Sequence, residues 1–389
     1  MREFIGYGKQ SIDKDDLKAV EEVLKSDFLT QGPKIAELEK AICKYTGAKY
    51  CIAVSNGTAA LHLAVLALQI KPGSEGITSP NTFVASANAI IYAGMKPVFA
   101  DIDARTYNVD PEEIKKKVTV KTKLVIPVHF AGQSADMKSI ARIAKAKKLF
   151  VIEDASHAVG SYYEDGGRIG SCRYSDLTTF SFHPVKTITT GEGGAITTNN
   201  KKLYDRLLLL RTHGITKESN KMSQNHEPWY YEMQALGFNY RLTDMQCALG
   251  ISQLKKLDKF VKRRRAIVDR YNKAFSKLEN ITTPHEEDGL KSCFHLYVVK
   301  IDFSKIKLTR AELMGKLKLA GIGTQVHYIP VHLQPYYRKN FGYKAGDYPI
   351  AEKYYQQCLS LPLYPAMTDK EVDYVIVTIS KTLGVDAKN

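Results

Sequence analysis

The sequence predicts an α/β protein with a large domain on a mainly parallel central sheet and a smaller C-terminal α/β domain. Short, continuously apolar strands alternate with helical patterns between residues 50 and 198. Strands of this kind are typical of a sheet covered on both faces, and the alternation is typical of parallel connections through helices. After residue 198 the alternation stops, and a long helix predicted to start near residue 244 leads into a smaller domain. We therefore divide the chain into residues 1–250 and 251–389.

Two helices are predicted before the first strand. Asp13 can cap a helix over residues 13–25, in which the apolar side chains form one stripe. Pro33 suits the first turn of a second helix over residues 33–45, and Gly47 suits its end.

The alternating region brings three polar segments to the ends of strands. Strands are predicted at residues 50–54, 97–100, 124–128 and 149–152 and at three runs that end at residues 79, 181 and 198, with helices at 59–69, 83–93, 136–147 and 201–211. Functional groups gather at the carboxyl ends of parallel strands. We therefore expect residues 55–58, Asp154 and residues 181–186 to lie close together.

The second half of the chain is less regular. Residues 217–231 are polar and contain the single tryptophan, which indicates a flap or insertion. Thr243 or Asp244 then caps a long helix that leads into the C-terminal domain. The remaining predicted elements are a strand near residues 294–301 and helices at 310–320, near 351–357 and at 369–383.

The net charge of +15 and the pI near 9.3 leave two classes of partner open. A basic protein can bind nucleic acid, or it can favour anionic small molecules. The densest basic run, residues 255–265, is interspersed with apolar residues in the pattern of an amphipathic helix with a solvated charged face. No zinc-finger spacing or RNA-binding signature accompanies it, so anionic small molecules are favoured.

The six cysteines are scattered and form no Cys-x-x-Cys pair, so they predict reduced packing residues and no metal or iron–sulfur site. The segment that contains Cys358 is predicted to be helical. The N-terminal residues lack the apolar core of a signal peptide, and no apolar run reaches membrane-spanning length. We expect a cytoplasmic protein that does not enter the membrane.

Lys186 is the most informative single residue. It lies in a loop between two apolar runs, five residues after Ser181 and shortly before Gly191-Glu-Gly-Gly194. A lone lysine there is most often a surface residue, but an ammonium ion beside buried strands is costly to desolvate. Formation of an imine with an aldehyde cofactor would remove that charge.

Residues near the other strand ends fit a phosphate-bearing aldehyde. The turn at residues 55–58 could hold a phosphate at a helix start, or its hydroxyls could simply cap that helix. Asp154 could pair with a pyridinium nitrogen, an arginine or magnesium. His157 could meet the phenolic oxygen of the cofactor or be structural, and Phe83 could stack on the ring or pack in the core. In combination these residues predict a pyridoxal phosphate site.

Several segments carry a resemblance to a known family across nearly the whole chain. They are Ser55-Asn-Gly-Thr-Ala-Ala-Leu61, Thr82-Phe-Val-Ala-Ser86, Glu153-Asp-Ala-Ser-His157, Ser181-Phe-His-Pro-Val-Lys186, Gly191-Glu-Gly-Gly194, Arg211-Thr-His-Gly214 and Asn239-Tyr-Arg-Leu242. Together they resemble the DegT/DnrJ-type sugar-nucleotide aminotransferases, which are fold type I pyridoxal phosphate enzymes.

The resemblance implies a role for each matching position. Lys186 would bind the cofactor through an imine and move the proton, and Asp154 would pair with the pyridine nitrogen. Phe83 would stack on the ring, and His157 stands where many relatives have glutamine. The implied phosphate ligands are Gly57, Thr58, Ser181 and, from the other subunit of a homodimer with shared active sites, Asn239.

Within the family, the motifs around Lys186 and Asp154 are most similar to those of 4-aminotransferases of pseudaminic acid synthesis. This likeness implies transfer of an amino group from L-glutamate to C4 of a UDP-linked 2-acetamido-2,6-dideoxy-4-keto-hexose. It implies a sugar site lined by Tyr7, Leu29, Thr30, Gln325, His327 and Tyr328. An aminotransferase for a GDP- or dTDP-linked keto sugar is the alternative.

Other classes fit the sequence less well. Sugar 3-dehydratases on this fold carry histidine in place of the lysine, whereas Lys186 is present here. A cysteine desulfurase needs a cysteine on a mobile loop, for which Cys358 is a poor candidate. Ser55-Asn-Gly-Thr-Ala-Ala60 does not match the Gly-x-Gly-x-x-Gly of nicotinamide-dependent enzymes. A cofactor-bound regulatory protein without turnover is the remaining alternative.

Overall fold

The computed structural model describes residues 3–224 and 227–384. Within these residues, seven strands form the large sheet: β1 (Tyr50–Val54), β2 (Glu75–Thr78), β3 (Lys96–Phe99), β4 (Thr122–Ile126), β5 (Phe150–Asp154), β6 (Leu177–Ser181) and β7 (Gly194–Thr198). Their order across the sheet is β1-β7-β6-β5-β4-β2-β3. Only β7 runs antiparallel to its neighbours in this part of the chain, so the mainly parallel sheet is confirmed.

Helices cover both faces of this sheet and explain its continuously apolar strands. The helices of this part of the chain are α1 (Lys14–Leu24), which packs on the long helix that follows residue 243, and α2 (Pro33–Thr46), α3 (Gly57–Ala67), α4 (Val84–Tyr92), α5 (Pro111–Lys117), α6 (Met137–Lys147) and α7 (Lys201–Arg211). Two hydrophobic clusters, one containing Val125 and Val151 and the other Leu124 and Ile152, pack on opposite sides of the same strands. The seven-residue α5, which the sequence patterns do not predict, begins at a proline after the capping residue Asp110.

Residues 217–231, the predicted flap, lie between the short paired strands β8 (Ile215–Thr216) and β9 (Glu232–Met233). Residues 225 and 226 of this segment lie outside the described residues. The long helix α8 (Asp244–Phe275) follows, and Thr243 is its cap, because its hydroxyl accepts from the backbone N–H of Gln246.

The C-terminal part contains, as far as the structure describes it, a three-stranded antiparallel sheet of β10 (Ile281–Thr282), β11 (Tyr297–Ile301) and β12 (Cys358–Leu361). Its helices are α9 (Arg310–Leu319), α10 (Pro335–Phe341), α11 (Pro349–Gln357) and α12 (Asp369–Thr382). Cys358 begins a buried strand, so the helical expectation for it is wrong. The reason is local: α11 ends at Gln357, and Cys358 adopts an extended backbone.

The predicted boundary at residue 250 falls inside α8. This helix contributes Leu257 to the core below the large sheet and Tyr271 to the C-terminal cluster, so it connects the two. Ile5, near the N-terminus, also packs in the C-terminal cluster, where it pairs with Ile322. The division at residues 250 and 251 stays a prediction. No helix in the described part of the chain is long and apolar enough to cross a membrane.

Candidate active site

The strands β1, β5 and β6 point the same way and end at one edge of the large sheet. A cavity of about 1420 Å³ opens at this edge. Most of the predicted site residues line it: Tyr7, Gly57, Thr58, Phe83, Asp154, His157, Ser181, Lys186, Gln325, His327 and Tyr328. The expected convergence of residues 55–58, Asp154 and residues 181–186 is therefore present in the fold.

One end of the cavity is built where helix α3 starts against β6. Asn56 caps α3 by accepting from the backbone N–H of Ala59 at 2.8 Å, so the cap is neither Ser55 nor Thr58. The side chain of Thr58 is left exposed on the first turn. A Cβ on Gly57 would lie 2.8 Å from the Cβ of Ser181, so only glycine permits this contact. Free N–H groups, two hydroxyls and the helix dipole at one point favour an anion.

Asp154 lies at the floor of the cavity as the last residue of β5. Its carboxylate accepts from the Ser86 hydroxyl and from the Ser156 hydroxyl, each at 2.6 Å. The Asp154 side chain is only 4% exposed. The backbone N–H of Ser156 also donates to it at 3.1 Å. A carboxylate held by three neutral donors in this position offers a charged acceptor to a cationic N–H group in the cavity.

Glu153 points to the opposite face of the sheet, as the alternation of a strand predicts. It is fully buried and accepts from His129 Nε2 at 2.8 Å and from the Tyr163 hydroxyl at 2.7 Å, while Ser175 also donates to it. Burial raises the pKa of Glu153, but these hydrogen bonds, led by that of His129, lower it below its ordinary value. The backbone N–H of His129 in turn donates to the carbonyl of Asp154 at 3.1 Å, so this network supports the cavity floor.

Lys186 follows β6 in the loop to β7. Burial lowers the pKa of its amine to about 8, and the charge of Asp154 acts in the opposite direction. Within the described residues the amine makes no hydrogen bond or ion pair. An amine with a lowered pKa and no partner is suited to covalent bond formation with an aldehyde.

Phe83 lies at the mouth of the cavity and is 58% exposed, so packing in the core does not explain it. Its ring centroid lies 6.3 Å from that of Tyr328. An exposed aromatic ring beside a cavity is available to stack on a flat ligand.

The C-terminal segment supplies the opposite wall. The Nδ1 atom of His327 lies 2.7 Å from the Ser360 hydroxyl, and the ring of Tyr7 lies 5.5 Å away. Burial, together with the charge of Lys186, lowers the pKa of His327 to about 3. Gln325 pairs through its backbone with Ser360 and leaves its side chain exposed. These groups form a neutral, polar wall.

Three predicted site residues do not line the cavity of their own chain. Leu29 and Thr30 are exposed and are held by backbone bonds to the start of α8, at Asp244 and Thr243. Asn239 is exposed and pairs through its backbone with Thr212. Their predicted roles stay predictions.

The sequence patterns did not single out His295, which also lines the cavity. It is 4% exposed, and its ring lies 4.4 Å from that of His157. The buried guanidinium of Arg264 fixes this segment by donating to the carbonyl of His295 at 3.1 Å. The only sign of His295 in the sequence is its position as a histidine within the predicted apolar strand at 294–301. No group of three or more possible metal ligands is present in residues 3–224 and 227–384.

Comparison with known proteins identifies the family of this chain. A sequence profile of DegT/DnrJ/EryC1/StrS aminotransferases matches residues 10–380. The chain belongs to this aminotransferase family.

Two curated or solved relatives extend over almost the whole chain. The spore coat polysaccharide biosynthesis protein SpsC of Bacillus subtilis is 46% identical over 377 residues, which cover 97% of this chain and 96% of SpsC. The structure of Helicobacter pylori PseC, an aminotransferase involved in the biosynthesis of pseudoaminic acid, is 32% identical with a TM-score of 0.91. That match covers 98% of this chain and 100% of PseC.

A third relative identifies the cofactor. Spr1654 of Streptococcus pneumoniae, described as a sugar aminotransferase, was solved in a PLP form that is 30% identical with a TM-score of 0.89. That match covers 98% of this chain and 99% of Spr1654, and a PMP form of the same protein matches with a TM-score of 0.90. The present protein is a pyridoxal phosphate-dependent sugar aminotransferase.

The residues of the cavity fit this cofactor. At Gly57 the first turn of α3 lies directly against Ser181 and leaves the side chain of Thr58 exposed, which suits a phosphate, and the Lys186 amine has no partner in the described chain. When bound, pyridoxal phosphate supplies an aldehyde for the amine and a pyridinium ring that withdraws electrons. Asp154 lies on the cavity floor, where its negative charge can keep such a ring nitrogen protonated.

Proposed function

We propose that this enzyme transfers the amino group of L-glutamate to C4 of a UDP-linked 2-acetamido-2,6-dideoxy-4-keto-hexose, as a step of pseudaminic acid synthesis. The likeness to PseC over 98% of this chain carries the proposal. The net charge of +15 is also suited to a substrate with a diphosphate group.

In this proposal the residues around the cofactor divide its binding and the proton transfer among them. Gly57, Thr58 and Ser181 hold the cofactor phosphate, and Phe83 covers the ring. Asp154 keeps the ring nitrogen protonated. Lys186 binds the cofactor and, once released by the donor amine, carries a proton between the donor carbon and the cofactor. Its pKa of about 8 leaves a useful fraction of neutral amine near neutral pH.

The remaining predicted residues bind the sugar or complete the site. Tyr7, Gln325, His327 and Tyr328 form the sugar wall within one chain, and Leu29 and Thr30 contribute from the loop between α1 and α2, which lies beside the start of α8. Asn239 is exposed and lies outside the cavity of its own chain. It contacts the phosphate of the cofactor that is bound in the cavity of the partner subunit. The active enzyme is therefore a homodimer with shared active sites.

A second candidate substrate is another nucleotide-linked keto sugar, with GDP or dTDP in place of UDP. The observation that favours it is the 46% identity to SpsC, a spore coat polysaccharide protein, which exceeds the 32% identity to PseC. Loops that vary among relatives set substrate choice, so overall fold does not decide between the two.

A panel of UDP-, GDP- and dTDP-linked 4-keto sugars, each assayed with L-glutamate, distinguishes the candidates. Mass spectrometry detects the amino sugar, and a coupled assay detects 2-oxoglutarate. We expect the UDP-linked 2-acetamido sugar to give the highest kcat/KM. Faster turnover of a GDP- or dTDP-linked sugar would overturn the pseudaminic assignment and leave the aminotransferase assignment intact.

A further inference from the structure

A directed pair of hydrogen bonds runs from the backbone of Ala131 through His157 to Tyr328. The Ala131 N–H donates to His157 Nδ1 at 3.3 Å, and His157 Nε2 lies 3.1 Å from the Tyr328 hydroxyl oxygen. A backbone N–H can only donate, so Nδ1 must hold a lone pair, and in a neutral imidazole the proton is then on Nε2.

The surroundings of His157 keep its ring neutral. The side chain is 5% exposed, and its ring packs 4.4 Å from that of His295. Burial lowers the pKa of His157 well below its usual range, and the charge of Lys186 acts in the same direction. With the ring neutral, Nε2–H donates to Tyr328, and both ring nitrogens of His157 are occupied. The expected contact between His157 and the cofactor would require one of these bonds to break.

The hydroxyl of Tyr328 is then left with a proton that has no acceptor among the described residues. Burial raises the pKa of Tyr328 above its usual range, and the nearby Asp154 and Tyr7 add to this, so the phenol keeps its proton. Tyr328 lines the cavity together with Lys186 and Asp154. The free O–H therefore faces the space in which the reacting groups are bound.

We propose that His157 is a positioning residue, which accepts from Ala131 and donates to Tyr328 so that the Tyr328 hydroxyl must donate into the cavity. The ligand of Tyr328 is accordingly an oxygen acceptor. Two oxygens have this chemistry: the phenolic oxygen of the cofactor and the carbonyl oxygen of the keto substrate. Only the second of these rests on the proposed function.

The test compares Tyr328→Phe, His157→Leu and His157→Gln in the holoenzyme. Glutamine can reproduce the polarity, because its carbonyl can accept from Ala131 while its amide donates to Tyr328; leucine can do neither. Tyr107→Phe is the matched control, since it removes a buried phenol hydroxyl from the same aromatic cluster. Circular dichroism and thermal melting confirm that each variant is folded.

Two readouts separate the two acceptors. The first is the pH at which the absorption of bound cofactor changes, measured without substrate. The second is the single-turnover rate of each half-reaction, with L-glutamate and then with the keto sugar. If the acceptor is on the cofactor, Tyr328→Phe moves the spectral midpoint by one or two pH units. If it is on the sugar, the spectrum is unchanged and the sugar half-reaction slows by about 10- to 100-fold.

In either case we expect His157→Leu to reproduce the effect of Tyr328→Phe. His157→Gln should keep most of the wild-type behaviour, and Tyr107→Phe should leave both readouts within about twofold of the wild-type values. The inference is overturned if Tyr328→Phe changes neither readout, or if His157→Leu changes neither while Tyr328→Phe does. If no keto sugar is aminated by the wild-type enzyme, the proposed function has failed, and the spectral readout still tests the cofactor as acceptor. An unchanged midpoint in that case overturns the inference.

Discussion

A Cβ atom on Gly57 would lie 2.8 Å from the Cβ of Ser181 and 3.2 Å from its hydroxyl oxygen. The first residue of helix α3 and the last residue of strand β6 can approach this closely only because one of them has no side chain. The proposed phosphate site is therefore built on a contact that any substitution at position 57 would open.

We expect Gly57→Ala to weaken cofactor affinity by about tenfold or more, since separating α3 from β6 by a few tenths of an ångström costs about 1–3 kcal/mol. The measurement is a fluorescence titration of the apoenzyme with pyridoxal phosphate. Gly315→Ala is the control: Gly315 is exposed in α9, with open space around an added Cβ, and should leave affinity unchanged. Equal affinity of Gly57→Ala and wild type would contradict the role of this contact.

The pKa of about 8 at Lys186 predicts fast cofactor capture at neutral pH. At pH 7, such an amine is in its neutral form about two hundredfold more often than an ordinary lysine. We expect the rate at which the apoenzyme binds pyridoxal phosphate, followed by the absorbance of the bound cofactor, to rise with pH and to level off above about pH 8. N-α-acetyl-lysine, measured in parallel, corrects for the titration of pyridoxal phosphate itself.

Lys186→Ala is expected to abolish both this absorbance and transamination, whereas Lys121→Ala, at an exposed position, should change neither. In Asp154→Asn the rate should level off at lower pH, because the negative charge of Asp154 raises the pKa of the amine. A plateau only above pH 10 in the wild-type protein would show that burial does not act on this lysine as inferred.

Glu153 is expected to stabilise the fold under the cavity. Glu153→Gln places amide N–H groups against the donors of Tyr163 and Ser175 and should cost about 3 kcal/mol near neutral pH. Because the pKa of Glu153 is lowered in the folded state, its contribution is fully present above the unfolded pKa of about 4.3 and is lost as pH falls through the folded pKa.

Denaturant unfolding of wild type and Glu153→Gln at pH 7 and at successively lower pH values tests this. The difference in the free energy of unfolding should be largest at pH 7 and shrink below about pH 4. Glu112→Gln, an exposed residue that pairs with Lys115, should differ little from wild type at any pH. A difference that is constant with pH would show that the charge of Glu153 does not carry the effect.

The proposed sharing of active sites between two subunits predicts complementation between two inactive variants. In a mixed dimer of Lys186→Ala and Asn239→Ala chains, one site has neither residue and the other has both. Random exchange of equal amounts should therefore restore about a quarter of wild-type activity, because half of the dimers are mixed and each has one intact site. Mixing two preparations of the same variant is the control. No recovery after verified exchange of subunits would place Asn239 in the site of its own chain or outside any site.

Local sequence patterns identified most secondary structure, because caps, breakers and apolar periodicity act over a few residues. Asp13, Gly47 and Thr243 mark helix ends as expected. Two errors were also local in origin: α5 is too short to show periodicity, and Cys358 follows a helix directly and enters a strand. His295 went unnoticed because one histidine in an apolar run carries no periodic signal.

The sequence by itself determined the alternating α/β fold and predicted that Lys186 and residues at three strand ends meet in one site, since the direction of parallel strands places those ends at one edge. Only the tertiary structure decided what each group can do there. The lowered pKa of Lys186, the Gly57–Ser181 contact and the occupied nitrogens of His157 all depend on burial and on neighbours distant in the chain. Desolvation and hydrogen-bond direction are properties of the packed site, and no spacing of residues encodes them.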